Sequence, residues 1–178
     1  MPNTLIRAAQ SNDLAAISAI YDHHVLSGKA TFEIDPPSVD EMRSRHASLV
    51  AERYPYLIAE AAGRIVGYAY AGPYRSRPAY RFTVEDSIYL AEASAGRGLG
   101  TRLLEELIAL STAREFRQMI AVIGDSENAA SIGVHRRCGF ELIGVFPKVG
   151  YKFGQWIDCV LMQRALGPGA STAPVDPK

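Results

Sequence analysis

The stretch VEDSIYLAEASAGRGLGTRLL, Val84 to Leu104, reads as three consecutive pieces. An apolar strand carrying a carboxylate comes first, then a glycine-rich turn, then a helix with leucines along one face. That order makes an anion site, because the first amides of a helix lack partners within it and its dipole favours negative charge there. Gly96, Gly98 and Gly100 remove side chains that would hold a pyrophosphate off the backbone. The stretch therefore predicts a phosphate-bearing ligand, with Glu85 on the adjacent strand as a candidate for chemistry. GRGLG lacks the Lys-Ser/Thr that ends a P-loop, and no acidic residue closes a following strand as a dinucleotide fold requires. On its own it is equally a ligand-free tight turn.

Bulk properties narrow the partners. The chain has 178 residues, 48% hydrophobic and 21% charged, an ordinary globular composition with room for a sizeable core. Its 19 Lys and Arg balance 19 Asp and Glu, so no global field draws it to nucleic acid, and the arginines near Arg75 and Arg136 are local patches. Cys138 and Cys159 make neither a disulfide framework nor a CxxC pair, and scattered histidines give no metal-ligand spacing. MPNTLIRAAQ lacks the basic-then-apolar pattern of a signal peptide, and no apolar run reaches membrane-spanning length. The expectation is a cytoplasmic protein with no metal, nucleic-acid or membrane partner.

Leu5 to Ala8 reads as a strand, and Leu14, Ile17, Ile20, Tyr21 and His24 recur at helical spacing after the capping residues Ser11 to Asp13. Ser38 and Glu41 form a capping box opening a second helix that should end near Arg53. Tyr56–Ala61 and Ile65–Gly72 make a hairpin about Ala62-Gly63, ahead of the strand holding Glu85. Leu99, Leu103, Leu107 and Leu110 mark the helix after the glycine loop. Met119–Ile123 is a strand, Asn128–Arg137 a short helix, and Glu141–Pro147 with Asp158–Gln163 close the sheet. This predicts an α/β (α+β) fold over residues 1–166, with a mixed, mostly antiparallel central sheet flanked by helices. The Pro/Gly/Ser-rich tail, 167–178, is expected to be disordered.

Three separated elements carry a resemblance: the strand with AGRGLG before TRLL, the segment ENAASIGVHRRCGF, and the preceding strands in order. On these the chain resembles the GCN5-related N-acetyltransferase superfamily. YRFTVEDSIYL, NAASIGVHRRCGF and VGYKFGQWIDCVLMQ bring it closest to the phosphinothricin and methionine sulfoximine (sulfone) acetyltransferase branch. The resemblance, from Ile6 to Leu166, implies an acyl-CoA N-acyltransferase fold, acetyl-CoA as co-substrate, and a homodimer. It also implies a Q/R-x-x-G-x-G/A loop about the pyrophosphate. Ala95 stands where Gln or Arg is usual, which leaves the grip to backbone donors from Gly96, Arg97, Gly98, Leu99, Gly100 and Thr101.

Acetyl transfer to an amine requires loss of the amine's proton, stabilisation of the oxyanion, and a thiolate that is protonated or tolerated. Alternation puts Glu85 on a face with Thr83, Ser87 and Tyr89, where it is either a base or the partner of Arg75 or Arg81. The resemblance implies the base. It further implies backbone contacts to the acetyl carbonyl and pantetheine from Ile88, Tyr89 and Leu90, and cofactor contacts from Asn128 and Ser131. His135 falls where many members place a tyrosine that protonates the leaving thiolate; its alternative is a structural hydrogen bond at a helix C-terminus. Cys138 reads as a small buried cysteine rather than an acetyl carrier. His23 and His24 read as helix-surface or pocket-wall residues.

In the resembled branch the substrate is amino-acid-like, with a carboxylate and a tetrahedral sulfur or phosphorus group. Its expected contacts here are Phe32, Arg75, Ser76, Arg77, Glu85, Asp86 and Ser87. Arg75 can grip an anion bidentately, while Ser76 and Arg77 depart from the Pro–aromatic pair of the sulfoximine enzymes. Tyr151 and Trp156 read as packing or dimer contacts. The alternatives are transfer to another amine (polyamine, aminoglycoside, protein N-terminus) or a non-catalytic acyl-CoA-binding module.

Overall fold

A computed structural model describes residues 4–175. Its elements follow the order expected: β1 (Thr4–Ala8), α1 (Leu14–Ser27), α2 (Val39–Ala51), β2 (Tyr56–Ala61), β3 (Arg64–Pro73), β4 (Thr83–Leu90), α3 (Leu99–Ala113), β5 (Gln118–Gly124), α4 (Ala129–Arg137), β6 (Glu141–Lys152) and β7 (Gln155–Ala165). The strands form one sheet, ordered β1-β2-β3-β4-β5-β7-β6. Only β4 and β5 run parallel; every other neighbouring pair is antiparallel. The mixed, mostly antiparallel sheet flanked by helices is therefore what forms. Among the described residues no helix is long and apolar enough to cross a membrane.

Apolar residues fill both faces of the sheet. Leu103, Leu104 and Leu107 of α3 pack with Val84, Met119 and Met162 on one face. On the other, Leu14, Ile17 and Val25 of α1 meet Ile58 and Tyr68. Burying each such side chain contributes about 1.5–3 kcal/mol. Along β4 this splits the residues by parity: Val84, Ile88 and Leu90 join the α3 side, whereas Tyr89 joins the α1 side.

Several boundaries differ from expectation. α2 ends at Ala51, and Arg53 takes φ +65°, a turn geometry that stops the helix. Only half of the capping box forms: Glu41 N donates to Ser38 Oγ at 3.1 Å, but Arg45 engages the Glu41 carboxylate. β6 and β7 run well beyond the apolar segments that marked them. They meet at Phe153-Gly154, whose φ values of +52° and +73° suit a tight hairpin turn. Pro147 sits in a register shift of β6, an edge strand where its missing N–H costs no ladder bond. In the tail, residues 167–170 form turns and 171–172 a bend, with Arg117 donating to Thr172 Oγ1 at 3.1 Å; residues 176–178 lie outside those described.

Candidate active site

The site begins where the sheet divides. β5 pairs with β4 only from Thr83↔Gln118 to Asp86↔Ala121, whereas β3 stays paired with β4 as far as Leu90. Beyond Asp86 the two central strands separate, and β5 continues against β7 alone. Tyr74 N to Thr83 O and Ala91 N to Val66 O frame the β3–β4 ladder, so odd-numbered residues of β4 bond to β3. The main-chain groups of Ile88 and Leu90 therefore turn toward the gap, while those of Tyr89 are spent on β3. His24 Nε2 bonds to Leu90 O at 2.9 Å and occupies one lone pair of that carbonyl.

The gap opens into a cleft of about 560 Å³. Its mouth is the glycine turn. Gly96 and Gly98 take φ +75° and +76°, a left-handed conformation that β-carbons disfavour, and nothing stands where their side chains would project. Gly98 caps α3, so the amides of Leu99, Gly100 and Thr101 face outward unpaired by the helix. Ala95, Gly96 and Gly98 to Thr101 line the cleft; the Leu99 side chain is in the core, and Arg97 stands exposed outside the lining.

The opposite wall is α4. Asn128 Oδ1 caps it by accepting from Ser131 N at 3.1 Å, and Asn128, Ser131 and His135 all face the cleft. His135 is buried, with Nδ1 2.8 Å from Ser131 O and Nε2 2.9 Å from Asp86 Oδ2. Both ring nitrogens are thus engaged within the protein. Asp86, grouped by sequence with the substrate contacts, lies on the face opposite Glu85 and holds His135. Cys138 is buried outside the cleft lining, and burial pushes its thiol above the usual value, which suits a packing residue rather than a nucleophile.

Glu85 occupies the other face of β4, level with the start of the gap. Burial, then the nearby Asp86 charge, push its carboxyl up to about 7, while Arg75 pulls it the other way. A carboxylate poised there is half-ionised at neutral pH and can accept a proton. On this face lies a hollow of about 390 Å³ walled by Tyr21, Met42, Leu49, Tyr56 and Tyr70, with Arg45 at its rim. Tyr70 stands opposite Ser87 in the ladder, which links the hollow to the Glu85 face. Arg75, Ser76 and Arg77 are exposed on the β3–β4 loop, the Arg75 guanidinium 5.1 Å from the Tyr74 ring.

Phe32, on the α1–α2 loop, lines neither the cleft nor the hollow and packs against β6 instead. Its ring fills the space a β-carbon would need at Gly150 on β6. Lys152, also on β6 and buried, donates to Gly28 O at 2.9 Å and Thr31 O at 3.1 Å. The loop is thereby fixed against β6, and its Ala30 lines the cleft. The hollow of tyrosines and the β5 wall, Ala121 to Ile123, belong to the site although no motif in the sequence marks them. Those residues carry only strand periodicity; Tyr56, Tyr68 and Tyr70 recurring at even spacing was the available signal. Among the described residues no three His, Cys, Asp or Glu side chains converge as metal ligands would.

The acetyltransferase (GNAT) domain family model matches residues 6–161. A phosphinothricin N-acetyltransferase of Alcaligenes faecalis is 52% identical over 169 residues, 95% of this chain and 86% of that one. An L-methionine sulfoximine/L-methionine sulfone acetyltransferase of Pseudomonas aeruginosa is 41% identical, covering 93% of this chain and 96% of that one. The crystal structure of a phosphinothricin acetyltransferase from Sinorhizobium meliloti in complex with AcCoA superposes with a TM-score of 0.95 at 47% identity, over 97% of this chain and 94% of that one. With a divided sheet, a glycine cradle at a helix N-terminus and a family match across nearly its whole length, the chain belongs to the GNAT acetyltransferases.

Proposed function

We propose that the protein transfers the acetyl group of acetyl-CoA directly to the amino group of a small amino-acid-like substrate, of the phosphinothricin, methionine sulfoximine or methionine sulfone type. The observation that carries this reading is the fork. One face of β4 borders a cleft with free main-chain groups and an anion cradle, and the other presents Glu85 beside an aromatic hollow. The pyrophosphate fits the cradle at α3, and the thioester arm then runs along Ile88 and Leu90 toward Glu85. The amides beside the gap stabilise the oxyanion. Glu85 takes a proton from the substrate ammonium, the amine nitrogen attacks the carbonyl carbon, the C–S bond breaks with its electron pair on sulfur, and the nitrogen's second proton passes to the departing thiolate as the amide forms. A thiolate is a tolerable leaving group, since thiol pKa values lie only about one to two units above neutral.

Arg75 offers a guanidinium for the substrate's anionic group, and the hollow of Tyr21, Met42, Tyr56 and Tyr70 accepts its side chain. Buried, unpaired Cys138 and Cys159 suit a reducing cytoplasm. The exposed apolar residues of the β6–β7 edge suit a homodimer. A thiol-release assay with acetyl-CoA tests the activity across phosphinothricin, methionine sulfoximine, methionine sulfone and common amino acids. Release with the first three above the rest is expected, and Glu85→Gln should slow it about 10²–10⁴-fold. Equal rates across the panel would remove the substrate assignment.

A further inference from the structure

One ion pair spans the fork and has no part in the proposed chemistry. Asp86 is the last residue of β4 that β5 pairs, opposite Ala121. Its carboxylate is almost wholly covered and meets His135 Nε2 from the last turn of α4 at 2.9 Å. The Ser131 carbonyl can only accept, so the 2.8 Å contact requires a proton on His135 Nδ1. Nε2 then faces a carboxylate, and the ring donates on both sides. Burial opposes the charged imidazole, but Asp86 and the Ser131 carbonyl outweigh it and raise the ring above its ordinary value. Phe140 meets the ring edge-on, centroids 5.0 Å apart. His135 is therefore held from β4 as well as from its own helix.

The pair's place in the fork gives it a task. Asn128, Ser131 and His135 recur at helical spacing and all line the cleft. Whatever holds His135 sets the distance of that whole face from β4. Asp86 Oδ1 has no hydrogen-bond partner among the described residues, though the residue also borders the cleft. We propose that Asp86 and His135 are positioning residues, whose buried hydrogen bond pins α4 to the fork and sets the width of the slot receiving the thioester arm of acetyl-CoA. This rests on the reading of the cleft as the acetyl-CoA site.

Calorimetric titration with CoA, beside steady-state kinetics, tests it in the full chain. Asp86→Ala and His135→Ala should each weaken CoA binding about tenfold or more, with kcat at saturating acetyl-CoA within about threefold of wild type. Asp86→Asn keeps an acceptor oxygen and lets its amide donate to a neutral Nε2, so its affinity should stay near wild type. Loss of kcat at unchanged affinity would make His135 a proton donor and overturn the proposal, as would normal CoA binding by Asp86→Ala. If the alanine variants do not fold, His135→Asn, too short to span from α4 to β4, should lose affinity where Asp86→Asn keeps it; equal affinity in the two overturns it. A wild-type protein that fails to bind CoA instead overturns the reading of the cleft, and the proposal with it.

Discussion

Glu85 carries opposite demands from activity and stability. As the proposed base it must be ionised, and its carboxyl is pushed up to about 7, so kcat/KM should rise as pH passes through about 7 and level off above it. A pH–rate profile at saturating acetyl-CoA checks this, and Glu85→Gln should remove that limb. The stability effect has the reverse sign. A carboxyl whose folded pKa lies above its unfolded value stabilises the fold at low pH, and that contribution is lost as pH rises from about 4.3 through about 7. Glu85→Gln should therefore melt a few degrees above wild type at pH 8 while being far less active; an equal or lower melting temperature would show that the buried charge costs little. Glu85 was legible because it interrupts an apolar strand beside a glycine loop. Asp86, grouped with the substrate contacts by its nearness in sequence, stands on the opposite face from Glu85, as strand alternation places neighbours. The bond from Asp86 to His135 joins residues 49 apart, and no local pattern encodes it.

At the scale of elements, the α3 N-terminus depends on one backbone conformation. Gly98 caps the helix at φ +76°, so Gly98→Val would cost about 1–2 kcal/mol in backbone strain and turn the following amides away from the cradle. Acetyl-CoA affinity should fall at least tenfold by calorimetry, roughly the effect of that much energy. Normal binding by Gly98→Val would end the cradle assignment. Gly100 differs: a β-carbon there would meet Val134 at an ordinary 3.6 Å, so Gly100→Ala should be tolerated. Strands and helices were legible wherever apolar spacing was strong, as in α3. β6 was not, because Pro147 reads as its end, whereas an edge strand accommodates a proline and continues past Gly150, which leaves room for the ring of Phe32.

At the scale of the molecule, one side of the sheet is unfinished. Phe146, Val149 and Tyr151 of β6 and Trp156 of β7 are each more than half exposed, although they are large and apolar. A second copy covering them should make the protein a dimer by light scattering, and Phe146→Glu should yield a folded monomer. A monomeric wild type would leave this edge without the assigned partner. The other side of the molecule divides its labour along β4. Where β4 parts from β5, the proposed acyl-donor contacts are backbone amides and carbonyls that every residue but proline possesses, so exchanging Ile88 or Leu90 for another non-proline apolar residue removes no donor or acceptor. The hollow proposed for the acceptor is lined instead by side chains, among them Tyr70, Met42 and Arg45. On that reading, substitutions around the hollow reshape what is acetylated while the acetyl source stays fixed, so the inherited and the evolvable halves of the enzyme meet back to back across β4.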